Sequence, residues 1–166
     1  IEELELLDGA VGVPTQKNYI DCKVTPVLFG SARSTFGVPT LLEKFKEYAP
    51  EPSGKIATPR EVFPTDDQFS AFVFKIQANM DKSHRDRLAF LRIVSGKFER
   101  DMDVKHSRLE KIVRMSHSKQ FWGQERETVD SAYAGDILGV YDPGHFRIGD
   151  TLYSRKEKIT FQGIPQ

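Results

Sequence analysis

Two hydrophobic rhythms divide the chain, one helical and one of period two, and the change falls near residue 50. Val24 to Phe29 is a continuous apolar run of strand length, the pattern of a strand buried on both faces of a parallel sheet. Pro26 is tolerable there only near the strand start or on an edge. After the small residues Gly30, Ser31 and Ala32, the positions Val38, Leu41, Leu42, Phe45 and Tyr48 repeat at helical spacing and predict one apolar face. Pro39 suits the first turn of that helix and Pro50 ends it. "IEELELLDGA" reads as the end of an acidic helix stopped by Gly9. Strand, turn and helix make the last unit of an α/β sheet, whose other strands are expected upstream of Ile1.

Residues 51–64 are rich in proline, lack periodicity and read as a linker. Beyond them "FSAFVFKIQANM" alternates Phe72, Phe74, Ile76 and Ala78 on one face. "RLAFLRIVSG" follows the loop "DKSHRD", which predicts a hairpin whose second strand ends at Gly96. The predicted core is Phe72, Phe74, Ile76, Leu88, Phe90, Leu91 and Ile93. "DVKHSRL", "KIVRMSHS", "DILGVYD" and "DTLYSR" add short strands separated by Gly and Asp turns. The fold class is therefore mixed: a small antiparallel β-barrel, preceded by a strand-turn-helix of α/β type.

Composition narrows the class. Hydrophobic residues are 39% and charged residues 29%, as in a folded globular protein rather than a disordered tail. No apolar run approaches the roughly 18 residues a membrane helix needs. A single cysteine, Cys22, excludes an internal disulfide framework and fits a reducing cytoplasm. Lys plus Arg equal Asp plus Glu at 24 each, but residues 75–119 hold 12 basic against 6 acidic side chains. That basic segment suggests an anionic partner, or else a solvated barrel surface.

Candidate chemistry is sparse. His84, His106, His117 and His145 lack the clustered spacing of a zinc site and read as loop or barrel-surface residues. There is no G-x-S-x-G elbow and no G-x-x-x-x-G-K-S/T phosphate cradle. Asp136 to Gly139 matches a bare D-x-x-G pattern inside a predicted strand and reads as chance. Nothing near Cys22 argues for a lowered thiol pKa. No catalytic or metal-binding residue is assigned. The turn Gly30-Ser31-Ala32 stays open between an ordinary connection and a backbone whose N–H groups approach a carbonyl or anion.

"FVFKIQANMDKSHRDRLAFLRIVSGKFERDMDVKH" resembles the second domain of the bacterial peptide chain release factor three family, GTPases of translation termination. "TPVLFGSARSTFGV" resembles the last guanine-contacting motif of that family, and "KITFQGIPQ" the start of its third domain. The "FKI…RLAFLRIVSG" skeleton is shared with the elongation-factor-G type barrel, whereas "QANMDKSHRDR" favours the release factor.

The resemblance implies GTP or GDP as ligand, with Ser31 and Ala32 offering backbone N–H groups to the guanine carbonyl and Gly30 letting the chain turn. Arg33 departs from the usual leucine or lysine and should alter only the pocket rim. The phosphate loop, switch segments and Mg²⁺ ligands are expected before Ile1, so this chain alone should not hydrolyse GTP. The implied division is 1–50 as the end of the GTPase domain, 51–64 linker, 65–155 barrel and 156–166 start of the third domain. The implied partners, in the cytoplasm, are the ribosome through small-subunit RNA and the codon-reading release factors. Lys82, Arg85, Arg87, Lys97 and Arg100 are the candidate RNA contacts. An elongation-type or rescue GTPase, or a stand-alone RNA-binding barrel without enzymatic role, are the alternatives.

Overall fold

The computed structural model describes residues 6, 14–78, 87–116, 118–122, 125–154 and 156–163. It divides into two compact units, Ile1–Glu51 and Pro52–Gln166.

In the first unit, helix α1 (Gln16–Ile20) opens at Thr15, whose hydroxyl accepts the Asn18 N–H at 3.2 Å. Helix α2 (Val38–Tyr48) opens at Gly37 with Pro39 in its first turn. Tyr48 is buried, its ring 5.7 Å from that of Tyr19, and the Gln16 side-chain amide donates to the Ala49 carbonyl at 3.3 Å. One expectation is corrected here. Val24–Phe29 is not a strand: it runs without ladder pairing, and Val27 and Phe29 are 74% and 86% exposed. The predicted helix with its apolar face is present as α2, and Leu41, Leu42 and Phe45 on that face stand exposed. A strand forms only where a neighbour takes its N–H and C=O groups, and an apolar stripe is covered only where a second surface meets it. Among the described residues of this unit Val24–Phe29 has no such neighbour, and α2 is buried only at Tyr48, against Tyr19 of α1. The acidic helix predicted for "IEELELLDGA" lies, except for Leu6, outside the described residues.

The second unit is almost entirely β. Its main sheet is antiparallel and eight-stranded. In spatial order it runs β7 (Lys111–Arg114), β6 (Asp103–His106), β12 (Thr151–Tyr153), β3 (Ser70–Gln77), β4 (Arg87–Ser95), β11 (Ile137–Asp142), β8 (Ser118–Trp122) and β9 (Glu125–Thr128). A pair of short strands, β5 (Lys97–Glu99) and β10 (Ser131–Tyr133), and a trio, β13 (Thr160–Phe161), β1 (Lys55–Thr58) and β2 (Glu61–Val62), complete it. Residues 51–64, read from the sequence as a linker, thus carry β1 and β2. Val104 of β6, near one edge of the sheet, and Leu138 and Val140 of β11 pack in one cluster with Ala71, Val73, Leu91, Ile93 and Phe98. Strands so far apart in order share a core only because the sheet curls on itself, which bears out the antiparallel barrel class.

The predicted core needs a correction of face. Leu91 and Ile93 are in the main cluster, but Phe72 belongs to a second cluster with Val62, Val94, Ile159 and Phe161, against which Phe74 packs half-buried. Register shifts between Ser70 and Ala71 and between Val73 and Lys75 break the alternation of β3. The inward positions are therefore Ala71, Val73 and then Ile76. Both faces of β3 are apolar because β1 and β13 cover the outer one.

Candidate functional site

The turn singled out by its small residues is closed by one backbone bond. The Ser31 N–H donates to the Phe36 carbonyl at 2.9 Å, and Ser31 and Phe36 form an isolated antiparallel bridge. Ala32 to Thr35 make the turn, with Thr35 at φ 60°. A Cβ on Gly30 would lie 3.0 Å from the Phe36 carbonyl oxygen, tight but adjustable. The strict glycine is Gly37, at φ 73°, where a Cβ would lie 2.4 Å from the Phe29 carbonyl oxygen. Sequence inspection passed over Gly37, although a Gly two residues before Pro39 is a helix-start signal. The Ser31 amide is thus already occupied. The Ala32 N–H, on an exposed residue, has no protein acceptor among the described residues.

Lys82 and Arg85 lie outside the described residues, as do His84 and His117. Arg87, at the start of β4, donates to Oδ2 of the buried Asp142 at 3.0 Å. Oδ1 of Asp142 accepts three N–H groups, from Gly144, His145 and Phe146. Lys97 pairs with Glu99 at 2.9 Å, and that hydrogen bond raises the lysine pKa. Arg100 pairs with Asp130 at 3.0 Å and with Asp101 at 3.6 Å. Arg87 starts β4 and Lys97 follows its other end, with a strand about 27 Å long at the usual antiparallel rise between them. They form no single patch.

The structure builds a polar cluster that the sequence did not suggest. Arg108, after β6, grips Asp150 with both prongs: Nε to Oδ1 at 2.7 Å and a terminal nitrogen to Oδ2 at 2.8 Å. The second prong also reaches the His145 carbonyl at 2.9 Å, and the Arg147 N–H donates to Asp150 Oδ2 at 2.7 Å. His106 is fully buried, which corrects its reading as a surface histidine; His145 is exposed as expected. The His106 ring stacks on Phe146 with centroids 5.7 Å apart, and Nδ1 accepts the Leu109 N–H at 3.3 Å. Nε2 lies 3.0 Å from Asp150 Oδ2 without the alignment of a hydrogen bond. Burial lowers the His106 pKa, outweighing the attraction of Asp150. Burial alone would raise the pKa of Asp150, but hydrogen bonds from Arg108 and the Arg147 amide prevail and lower it. Among the described residues no group of His, Cys, Asp and Glu is placed to hold a metal ion, and no helix is long and apolar enough to cross a membrane.

Comparison with known proteins agrees with this architecture. The chain is 53% identical over 165 residues to a protein of Symbiobacterium thermophilum named peptide chain release factor 3, covering 99% of this chain and 31% of that protein. It is 54% identical over 166 residues to the protein of that name from Gloeobacter violaceus, covering 99% and 31%. With the Lacticaseibacillus casei protein, again so named, identity is 52% over 167 residues, covering 100% and 32%. The chain therefore spans about a third of the length of the curated relatives it matches. The profile of elongation factor G domain 2 matches residues 68–155, more than half of the 166 residues and coincident with the curled sheet. The chain thus belongs to the elongation factor G domain 2 family.

Proposed function

We propose that this chain is part of a cytoplasmic GTP-binding termination factor that drives codon-reading release factors off the ribosome after peptide release. The observation that carries its nucleotide specificity is the unpaired Ala32 N–H on a turn framed by Gly30 and Gly37. A backbone donor there accepts partnership with the guanine carbonyl, whereas the adenine amine would leave two donors facing each other. The names of the relatives support termination as the process. In this reading 1–50 is the last part of a GTPase domain, 65–155 is the barrel, to which 51–64 adds β1 and β2, and 156–166 is the start of a third domain.

The residues of this chain fit the base and not the phosphates: its sequence holds no phosphate-cradle motif, so no phosphoryl or Mg²⁺ step is assigned to it. The barrel supplies the ribosomal surface, against small-subunit RNA. The match of residues 68–155 to elongation factor G domain 2 also favours an elongation-type GTPase as second reading. The test is release of a bound codon-reading release factor from post-termination ribosomes by the intact protein with GTP. Acceleration of that release supports termination. Acceleration of tRNA translocation instead would establish the elongation reading.

A further inference from the structure

On the β6–β7 side of the second unit, a groove of about 480 Å³ is bordered by Arg108, Arg147, Gly149, Lys158 and Gly163. Its charge is one-sided. The carboxylate on its wall, Asp150, has both oxygens taken by Arg108 and the Arg147 N–H. Lys158 reaches Glu110, which lies outside the lining. The Arg147 guanidinium is exposed and has no carboxylate partner among the described residues. The floor carries no side chain along one strip: a Cβ on Gly149 would meet only the Gly163 Cα, at 4.0 Å, and one on Gly163 would meet nothing.

We infer that this groove seats an RNA backbone, with Arg147 the main phosphate contact and Lys158 the second. The inference rests on the ribosomal reading above and gives it a site other than the 82–87 loop. An arginine fork matches two phosphate oxygens at once, and an unpaired one does so without breaking an existing ion pair. Arg108 serves as a positioning residue: by pairing with Asp150 it offsets the carboxylate on the groove wall that would repel a phosphate, while a phosphate at Lys158 would compete with Glu110. A protein partner would want a buried aromatic or aliphatic anchor pocket, and the groove offers only Ile148 as an exposed apolar side chain.

The test uses the intact protein and isolated small ribosomal subunits across a salt series, with Arg147→Ala and Arg147→Lys. Arg147 is exposed, so neither variant should disturb folding. Loss of one phosphate contact lowers the slope of log affinity against log salt by about 0.7–0.9, and Arg147→Lys keeps that slope. Unchanged affinity and slope in Arg147→Ala, while the wild type binds, overturn the groove and leave the ribosomal reading standing. An equal loss in Arg147→Ala and Arg147→Lys at unchanged slope also overturns it, by pointing to a protein contact. Failure of the wild type to bind overturns the ribosomal reading itself, and this inference with it.

Discussion

Phe74 and Phe90 meet across β3 and β4 with ring centroids 6.3 Å apart, on the side of the sheet away from the main core. Leu91, one residue along, points the other way and is fully buried. Leu91→Ala should therefore cost about 2–5 kcal/mol. Phe74→Ala, which loses a half-buried ring, should cost less, about 2 kcal/mol. Urea unfolding of the two variants checks the ranking; a larger loss in Phe74→Ala would show the faces to be reversed.

Guanine selectivity should depend on one amide. Ala32→Pro removes the N–H left open by the turn, and GDP affinity should fall roughly 10- to 100-fold, the cost of an unmet buried carbonyl. Calorimetry on the intact protein decides: unchanged GDP affinity would make the turn an ordinary connection.

Gly37→Ala tests the frame of that turn rather than its donor. The left-handed backbone and the 2.4 Å approach to the Phe29 carbonyl oxygen both oppose a Cβ. The variant should weaken GDP binding while the unfolding midpoint of the β unit stays at the wild-type value. Wild-type nucleotide binding would show that the turn tolerates distortion.

Ion pairs that look alike should differ in weight. Arg87→Ala leaves the fully buried carboxylate of Asp142 with backbone donors alone and should cost about 1–3 kcal/mol. Lys97→Ala and Arg100→Ala break exposed, solvent-screened pairs and should each cost less than Arg87→Ala. Thermal melts of the three variants measure this directly, and equal destabilisation by all three would refute it.

Acid should loosen the β unit in two stages. His106 stays neutral in the fold, its pKa lowered from 6.5, so the unfolded chain binds the extra proton first. That contribution is complete above about pH 6.5 and is lost as pH falls from there toward the lowered value. Asp150, lowered from 3.8, contributes above that value and loses its share as pH falls through the folded pKa. His106→Gln should be less stable near neutrality but flatter between about pH 7 and pH 5. Urea midpoints across that range test it; parallel profiles for variant and wild type would remove His106 as the titrating group.

What the sequence determined by itself was local. Short strand-like runs at 137–142 and 151–153, set off by Gly and Asp turns, located β11 and β12, and the succession of such runs set the antiparallel class. The run from Phe72 to Lys105 sufficed for the family resemblance. Such signals survive in one dimension because a strand alternates faces every residue, whatever lies beside it.

Tertiary structure decided the rest, wherever the partner is distant in the chain. The bulges in β3 put Ala71 and Val73 inward in place of Phe72 and Phe74 while Ile76 keeps its predicted place, and the alternation alone does not record an inserted residue. Arg108 finds Asp150 42 residues away, and His106 is buried only because β12 and Phe146 close over it. Conversely, Val24–Phe29 has every local mark of a buried strand and is not one, because burial and ladder bonds are supplied by neighbours rather than by the segment.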